Sequence, residues 1–367
     1  MKVVFFSDID SPHWIKFSNY FSKLVNFKFY YLEDSVGDRG KFWRISRGSN
    51  VIHLENTLLT GNSAFLKKRY YVPGGFFLLI RDNPDVIVVS GFSKFISIQA
   101  YIYSILFSKK FYVFTERSRN DKGELRGKSF IWTLLRCFYF KLTGVIVTAE
   151  DTINQFLTLG FKIENLFLCY YPTDIDKLLL SNRTGITFNS DTELNVIFPN
   201  RMTPIYNPLF AISLIQKSLS LNLNCIFHFN KSGELFDDFS EQIKLLRLEN
   251  IVKFVDVDSW DDLHEYYLNM DVMILPARFS NGNFTILESM AAGLGIIISN
   301  NVMGLGNEIV DSVNGFKCDL LENDFFEKLL NYYNDRELIL KHAAVNNRLV
   351  FKYSAKSVSK MLFDIIS

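Results

Sequence analysis

Short apolar runs that alternate with helix-length segments constrain the fold of this chain more than any other feature. In the first half of the sequence the runs lie at residues 2–9, 27–32, 85–90, 111–115, 145–148 and 166–171, each bounded by turn residues. Such runs are typical of buried parallel strands joined by crossover helices. Between the first two runs, apolar side chains recur at helical spacing at Trp14, Phe17 and Phe21, which predicts a β-α-β start. We therefore predict a doubly wound sheet.

A polar stretch at residues 181–192 interrupts this pattern, and a second series of apolar runs follows it. These runs lie at residues 196–199, 225–229, 252–257, 272–275 and 296–299. The predicted fold class is α/β with two Rossmann-like doubly wound domains, at residues 1–183 and 184–352, followed by a C-terminal helix at 353–367 that could return to the first domain. Because ligands of such sheets bind beyond the carboxyl ends of the strands, we expect the active site in a crevice between the domains.

Charge and composition exclude several classes of protein. The 40 basic and 39 acidic residues leave a net charge of +1, so no protein-wide field would attract nucleic acid. The four cysteines (Cys137, Cys169, Cys225 and Cys318) lack the spacing of a metal or redox site, and we interpret them as reduced core residues. The N-terminal apolar run is too short for a signal peptide, and no run approaches the roughly 20 residues of a membrane span. We expect a cytoplasmic protein, free or at the cytoplasmic face of the inner membrane.

Residues 271–293 are the most informative stretch of the sequence. A predicted strand leads through a loop rich in Asn and Gly into a predicted helix that begins near Phe284. The free amides and the dipole at a helix N-terminus favour a phosphate group. Glu288, one turn inside this helix, could accept hydrogen bonds from the hydroxyls of a ribose, although a solvent-facing glutamate fits the sequence equally well.

This stretch resembles the donor-binding signature of the retaining glycosyltransferases of family 4, the glycosyl transferases group 1 enzymes with the GT-B fold. The resemblance continues through residues 252–276, 301–310 and 314–316, and the YPTDID run at 171–176 is similar to the family's Pro-Asn-Gly-Val-Asp element. It covers most of residues 145–320 in the family's order. The resemblance implies two domains that face a central cleft, a nucleotide-sugar donor (a UDP-sugar first, a GDP-sugar next), a saccharide acceptor, and no metal ion or other cofactor.

The resemblance also assigns roles to individual residues. It implies that Glu288 binds the nucleotide ribose and that Arg201, directly after the run at 196–199, binds the diphosphate. A guanidinium group can neutralise a pyrophosphate and donate two hydrogen bonds to it, although a surface arginine is the alternative. The remaining predicted donor-binding residues are Ser280, Asn281, Gly282, Asn283, Phe284 and Thr285.

Two charged residues of the family pattern are replaced in this chain. Tyr206 stands where the family usually has a lysine, and Lys231 could supply that cation, unless it is an ordinary loop lysine. The first glutamate of the family's pair corresponds to Ser280, so a carboxylate that would contact the donor sugar is absent. Asn281 or Asn283 could contact the sugar hydroxyls instead, which leaves the donor preference open.

The N-terminal half resembles the family only loosely. Glu116, after the run at 111–115, and His13 are candidates for contact with the acceptor or the donor sugar. The alternatives are a paired surface acid and a helix-start histidine. Asp-x-Asp spacing occurs at residues 8–10 and 256–258, and we interpret both pairs as acids at loop edges rather than as metal ligands.

Basic and aromatic residues interleave at 67–71, 107–112 and 126–141 in the predicted acceptor domain. This composition suits peripheral docking on an anionic membrane, where a lipid-linked oligosaccharide acceptor would be found, but an aromatic core with snorkelling lysines looks the same. By analogy with the family, we expect a role in bacterial surface polysaccharide or lipopolysaccharide O-antigen biosynthesis. Two other functions stay open: a sugar-nucleotide epimerase or hydrolase, and a non-catalytic carbohydrate-binding or scaffold subunit. The oligomeric state is undetermined.

Overall fold

The computed structural model describes residues 1–33, 46–59, 69–92, 94–116, 133–134, 137–139, 141–180, 192–257, 259–280 and 283–367. These residues form two compact units. Unit 1 contains the described residues up to Asp174 together with Ala355–Ser367, and unit 2 contains Ile175–Ser354. The units thus divide earlier than the boundary after residue 183 that the sequence suggested, because the short helix at Asp176–Leu180 packs against helices of unit 2.

Unit 1 is built on a sheet of parallel strands with the order β3-β2-β1-β6-β7-β8-β9. These strands are β1 Lys2–Ile9, β2 Asn26–Glu33, β3 Val51–His53, β6 Val86–Ser90, β7 Lys110–Thr115, β8 Gly144–Val147 and β9 Leu166–Leu168. Two further strands, β4 Thr57–Leu59 and β5 Arg69–Tyr71, form an antiparallel pair. The helices are α1 Pro12–Phe21, α2 Gly75–Asp82, α3 Phe95–Leu106 and α4 Glu150–Thr158, with a short 3-10 turn at Ile163–Asn165.

Unit 2 repeats this plan with the strand order β12-β11-β10-β13-β14-β15. Its parallel strands are β10 Leu194–Phe198, β11 Cys225–Asn230, β12 Val252–Val255, β13 Val272–Leu275, β14 Gly295–Ser299 and β15 Phe316–Cys318. Its helices are α5 Asp176–Leu180, α6 Ala211–Ser220, α7 Phe236–Leu245, α8 Trp260–Leu268, α9 Phe284–Ala292, α10 Glu322–Asn334 and α11 Glu337–Val350. Short 3-10 turns lie at Pro208–Phe210, Gly304–Glu308 and Phe351–Tyr353.

The final helix, α12 Ala355–Ile366, packs against α1 and belongs to unit 1. Its apolar side, which includes Val358 and Leu362, is buried. The amide of Ala355 donates a hydrogen bond of 3.1 Å to the Thr173 carbonyl, next to the point where the chain leaves unit 1. The helix therefore completes the unit in which the chain begins.

Local sequence determines where the important helices begin and end. The side chain of Ser11 accepts a hydrogen bond from the Trp14 amide at the start of α1, where Pro12 occupies the first turn. Helix α9 starts at an Asn283 cap and ends at Gly293, whose φ of 72° suits glycine. Within the described residues, no helix combines the length and apolarity needed to cross a bilayer.

The cores of the two units differ in character. Unit 1 packs aromatic rings on its sheet, as in the contacts of Trp14 with Phe5 at 4.9 Å and with Phe114 at 5.4 Å between ring centroids. The core of unit 2 contains more aliphatic side chains. Three of the predicted core cysteines are buried, but Cys137 is exposed, so the prediction is wrong for that residue, which lies in a short helical turn at the surface.

The strand order of each sheet reverses at its first strand, because β1 lies between β2 and β6, and β10 lies between β11 and β13. At such a switch point the flanking crossovers leave toward opposite sides and open a crevice at the carboxyl ends of the strands. The loops after β1 and β6 meet at the crevice of unit 1. The loops after β10 and β13 meet at the crevice of unit 2.

Candidate functional site

The loop after β10 carries Arg201 and is bonded to the loop after β11. The Met202 amide donates to the Ser232 carbonyl at 2.7 Å, and the Leu235 amide donates to the Met202 carbonyl at 2.9 Å. Gly233 lies between these bonds with a φ of +118°, and an added Cβ would lie 2.4 Å from the Met202 carbonyl oxygen. The two backbones approach so closely that glycine is required there.

Asn230, at the end of β11, adds a side-chain connection between the same loops. Its Nδ2 donates to the carbonyls of Pro199 and Asn200 at 3.0 and 2.8 Å. Lys231 therefore leaves the sheet next to the Arg201 loop. Its side chain is 46% exposed, and its Nζ lies 3.8 Å from the Asp256 carboxylate. Two of the predicted catalytic cations are thus attached to neighbouring loops at one edge of the sheet.

The start of α9 is joined to the Arg201 loop through a pair of asparagines. Asn200 donates from Nδ2 to the Oδ1 of Asn283 at 3.2 Å, and the Thr285 hydroxyl lies 2.5 Å from the same oxygen. Both asparagines are buried. Within the part of the chain that the structure describes, the Nδ2 of Asn283 has no hydrogen-bond acceptor. A buried amide donor without a partner is costly, so a ligand oxygen at this position would be favoured.

Glu288 does not face solvent, which rules out the alternative of an ordinary exposed glutamate. The residue is 3% exposed, and its carboxylate accepts a hydrogen bond from the phenol of Tyr267 on α8. Burial, together with the charge of Glu288, raises the pKa of Tyr267 well above its usual range. Tyr267 was not among the predicted site residues, because only the packing of α8 on α9 brings it to this carboxylate.

Ser280 is buried and belongs to the same edge of the sheet. It forms an isolated bridge with Val302, and the Met303 amide donates to the Ser280 carbonyl at 2.8 Å. This pairing holds the loop after β13 against the segment at residues 301–307. In the structure, Ser280 therefore contacts this segment through its backbone.

The structure describes only some of the other predicted donor-binding residues. Phe284 and Thr285 are partly buried in the first turn of α9. Asn281 and Gly282 lie outside the described residues. Tyr206 packs against the core of unit 2, so its ring serves packing at the place where the family has a cation.

Unit 1 has its own polar cluster at the carboxyl ends of its strands. Glu116 follows β7, and its carboxyl group bonds with the hydroxyl of Tyr171. Although the residue as a whole is exposed at the surface, desolvation of the carboxyl group raises the pKa of Glu116, and the bond with Tyr171 opposes that shift. Asp8, near the end of β1, pairs with Lys94 at 2.6 Å, and Lys94 lies 3.2 Å from the hydroxyl of Ser90. Neither Tyr171 nor Lys94 was among the predicted site residues, although both follow strand ends.

His13 occupies a buried position at the start of α1 and is 1% exposed. Its Nδ1 accepts a hydrogen bond of 3.0 Å from the Asp174 amide. The Asp174 carboxylate in turn lies 3.5 Å from Lys16. His13 therefore helps to hold the chain at Asp174, where unit 1 ends.

The Asp-x-Asp pair at residues 8–10 spans the end of β1, at the edge of the following loop. Asp8 is part of the strand, and Asp10, directly after it, is buried and pairs with Arg47 at 2.5 Å. Of the second pair, residue 258 lies outside the described part of the chain. Among the described residues, no group of three or more His, Cys, Asp or Glu side chains could hold a metal ion.

Comparison with known proteins connects the unit 2 site to a family. Residues 185–348 match the family described as glycosyl transferases group 1. The uncharacterized glycosyltransferase MJ1607 of Methanocaldococcus jannaschii is 25% identical over 225 residues, which cover 59% of this chain and 56% of that protein. The match thus spans a little over half the length of this curated relative.

Solved structures resemble the whole chain. A glycosyltransferase from Rickettsia africae ESF-5 superposes with a TM-score of 0.74 at 13% identity, covering 100% of this chain and 97% of the other. Anabaena Alr3699/HepE in complex with UDP gives a TM-score of 0.72 at 14% identity, covering 100% and 99%. At such low identity these similarities show the fold alone, and they confirm the predicted fold class. The chain therefore has the GT-B fold, and its residues 185–348 are similar to the glycosyl transferases group 1 family.

Proposed function

We propose that this protein transfers a sugar from a UDP-sugar to a saccharide acceptor with retention of the anomeric configuration. The observation that carries the proposal is the bond between Asn200 and Asn283, which joins the Arg201 loop to the N-terminus of α9. A permanent cation, helix amides and an unpaired amide donor thus converge at one strand switch point. A nucleoside diphosphate offers the matching chemistry, and UDP is favoured because the Anabaena structure of the same fold contains it.

In this reaction the bond between the anomeric carbon and the diphosphate oxygen breaks while a bond to the acceptor oxygen forms on the same face of the sugar. The acceptor proton passes to the departing diphosphate. Negative charge grows on that diphosphate, so preorganised positive groups lower the barrier. Arg201, Lys231 and the first amides of α9 would supply this stabilisation without a metal ion. Glu288 would hold the ribose hydroxyls, with Tyr267 fixing its carboxylate.

The acceptor is assigned to unit 1. Glu116 would accept a hydrogen bond from a hydroxyl of the acceptor or of the donor sugar, because its carboxyl group lies beside Asp8 and Lys94 at the ends of the strands. Following the family resemblance, we propose a lipid-linked oligosaccharide acceptor at the cytoplasmic face of the membrane, in the assembly of a surface polysaccharide or lipopolysaccharide. The interleaved basic and aromatic segments of this half support that setting.

The donor assignment is tested by melting purified protein with UDP, GDP, dTDP, CMP and ADP, because a ligand that binds only the folded state raises its Tm. We expect UDP to raise the Tm of the wild type and of a control variant, Arg348→Ala, which removes an exposed arginine of α11. Arg201→Ala and Glu288→Ala should abolish this shift. If Arg201→Ala responds to UDP as the wild type does, the diphosphate assignment is wrong.

Turnover distinguishes the transferase from the other functions that the sequence left open. A transferase releases UDP from its donor only when the acceptor is present, whereas a hydrolase or epimerase acts without one. A non-catalytic subunit would bind sugar nucleotides weakly or not at all and would release UDP from none of them. This last comparison is necessary because Ser280 stands where the family has a glutamate. UDP release should be measured with and without extracted lipid-linked saccharides.

A further inference from the structure

Arg278 is a second arginine at the switch point of unit 2, and it was not among the predicted site residues. Strands β10 and β13 pair in parallel at this point, with Ile197 opposite Met273. Arg201 is the third residue after β10, and Arg278 is the third residue after β13. The two arginines therefore follow adjacent strands at the same edge of the sheet, where the crevice of a doubly wound sheet opens.

Hydrogen bonds join the loop of Arg278 to the loop of Arg201 at both ends. The Arg278 amide donates to the Ile205 carbonyl at 2.8 Å, and the Asn200 side chain donates to that of Asn283 at 3.2 Å. Arg201 thus lies between the two bonded residues of its own loop, and Arg278 is itself one of the bonded residues of the facing loop. The two loops are therefore held side by side, and each carries one arginine.

Backbone turns keep the Arg201 loop compact between these two bonds. The Thr203 amide donates to the Arg201 carbonyl at 2.9 Å, and the Tyr206 amide donates to the Thr203 carbonyl at 3.1 Å. Turns of this kind fold the chain back on itself over a few residues. The backbone of Arg201 therefore stays close to Ile205, the residue to which Arg278 is bonded.

The surroundings of Arg278 leave its charge available to a ligand. The residue is exposed, and it is the only charged residue of the loop at 276–283. None of the acidic side chains in the ranges that the structure describes forms an ion pair with it. Lys231, in contrast, pairs with Asp256 after β12, on the side of β11 that faces away from β10. Arg278 is therefore a better placed partner for Arg201 than Lys231 is.

The diphosphate of a sugar nucleotide requires more positive charge than one guanidinium supplies. It carries more than one negative charge when it binds, and cleavage of the bond to the sugar adds another. Cations that are in place before this step lower its barrier. A guanidinium stays charged and donates two parallel hydrogen bonds to phosphate oxygens. Two arginines on adjacent loops therefore match the charge and the shape of a diphosphate.

We propose that Arg278 binds the diphosphate of the donor together with Arg201 and is a catalytic residue of the transfer. The proposal rests on the proposed function and adds a second guanidinium to the same site. The bond between the anomeric carbon and the diphosphate oxygen breaks, the acceptor oxygen takes its place, and the acceptor proton passes to the diphosphate. Arg278 stabilises the negative charge that the diphosphate gains before that proton arrives.

The test is calorimetry of UDP and of GDP binding to the full chain, because a contact with the diphosphate does not depend on the base. Arg278→Ala removes the guanidinium, and Arg278→Lys keeps a positive charge at the same position. The matched control is Arg348→Ala, which removes an exposed arginine of α11. Affinities are measured at several salt concentrations, and the Tm of each protein is measured without ligand.

We expect Arg278→Ala to bind the nucleoside diphosphate roughly tenfold or more weakly than the wild type, since a hydrogen bond to a charged group is lost. Arg278→Lys should recover part of this affinity, because it restores the charge but not the planar fork. The affinity of Arg278→Ala should also depend less on salt, because one charge no longer meets the ligand. Arg348→Ala should bind like the wild type, and every Tm should stay at the wild-type value.

Wild-type affinity in Arg278→Ala would overturn the assignment of Arg278 and leave the proposed function intact. An unchanged salt dependence also overturns it, and so does a lowered Tm in Arg278→Ala with no recovery of affinity in Arg278→Lys, because the loss would then come from the loop and not from the charge. A wild type that binds neither UDP nor GDP overturns the proposed function as well.

Discussion

Gly233 is the position at which one added methyl group should disturb the donor site most. Its φ of +118° lies where side chains other than glycine are strained, and an alanine Cβ would meet three backbone atoms of Met202 at 2.4 to 2.6 Å. The backbone bonds from Met202 to Ser232 and from Leu235 to Met202 flank this contact, so the loops can separate only by breaking them. Gly233→Ala should therefore release the loop that carries Arg201.

The size of the effect follows from those contacts. Strain in a sparsely populated backbone region costs about 1–3 kcal/mol, and each broken backbone hydrogen bond costs about 1 kcal/mol more. The closed arrangement of the two loops should thus lose roughly 3 kcal/mol or more. Because about 1.4 kcal/mol corresponds to a factor of ten, the open state becomes about a hundredfold more populated.

Amide hydrogen exchange measured by mass spectrometry on peptides covering residues 199–203 and 230–236 would detect this opening. We expect about hundredfold faster exchange at these amides in Gly233→Ala, together with weaker UDP binding by calorimetry. Gly74→Ala is the matched control, because nothing lies within 4 Å of its added Cβ. If Gly233→Ala exchanges and binds UDP like the wild type, the two loops do not position Arg201 as described here.

Three further predictions concern ionisable groups at His228, Tyr267 and Glu116. Burial, with a contribution from the charge of Lys253, lowers the pKa of His228 to about 4. The free energy of unfolding should therefore fall as the pH drops from about 6.5 to 4, by no more than about 2 kcal/mol after solvent screening. The pH dependence of the unfolding free energy should be shallower in His228→Gln, and an identical slope would refute the assignment. Tyr267→Phe leaves the buried Glu288 one hydrogen bond short, so the Tm should fall and calorimetry should show about tenfold weaker UDP binding. Unchanged affinity would show that the phenol does not orient the carboxylate. Desolvation raises the pKa of Glu116. If its ionised form accepts a hydrogen bond from a substrate hydroxyl, kcat/KM should decrease with falling pH, starting at a pH above the usual range of carboxylate pKa values. Glu116→Gln should lose this acid limb, and superimposable pH profiles of variant and wild type would exclude the role.

Apolar periodicity predicted the long strands well because burial on both faces of a parallel sheet imposes a local pattern. The run at residues 2–9 is β1, and the run at 272–275 is β13. The three-residue strands β3 and β15 were not predicted, since so few residues carry no period. The run at 166–171 ends as a strand at Leu168, because only its first three residues pair with β8.

The sequence by itself determined the two α/β units, the family that the C-terminal domain resembles, and the position of Arg201, Glu116 and Glu288 after strands or at a helix start, because these depend on local patterns and on the order of elements. The tertiary structure alone decided which groups these residues meet. Tyr267 reaches Glu288 through the packing of α8 on α9, and Asn200 reaches Asn283 across adjacent strands. Such contacts depend on the distance between side chains far apart in the chain, for which residue spacing carries no signal.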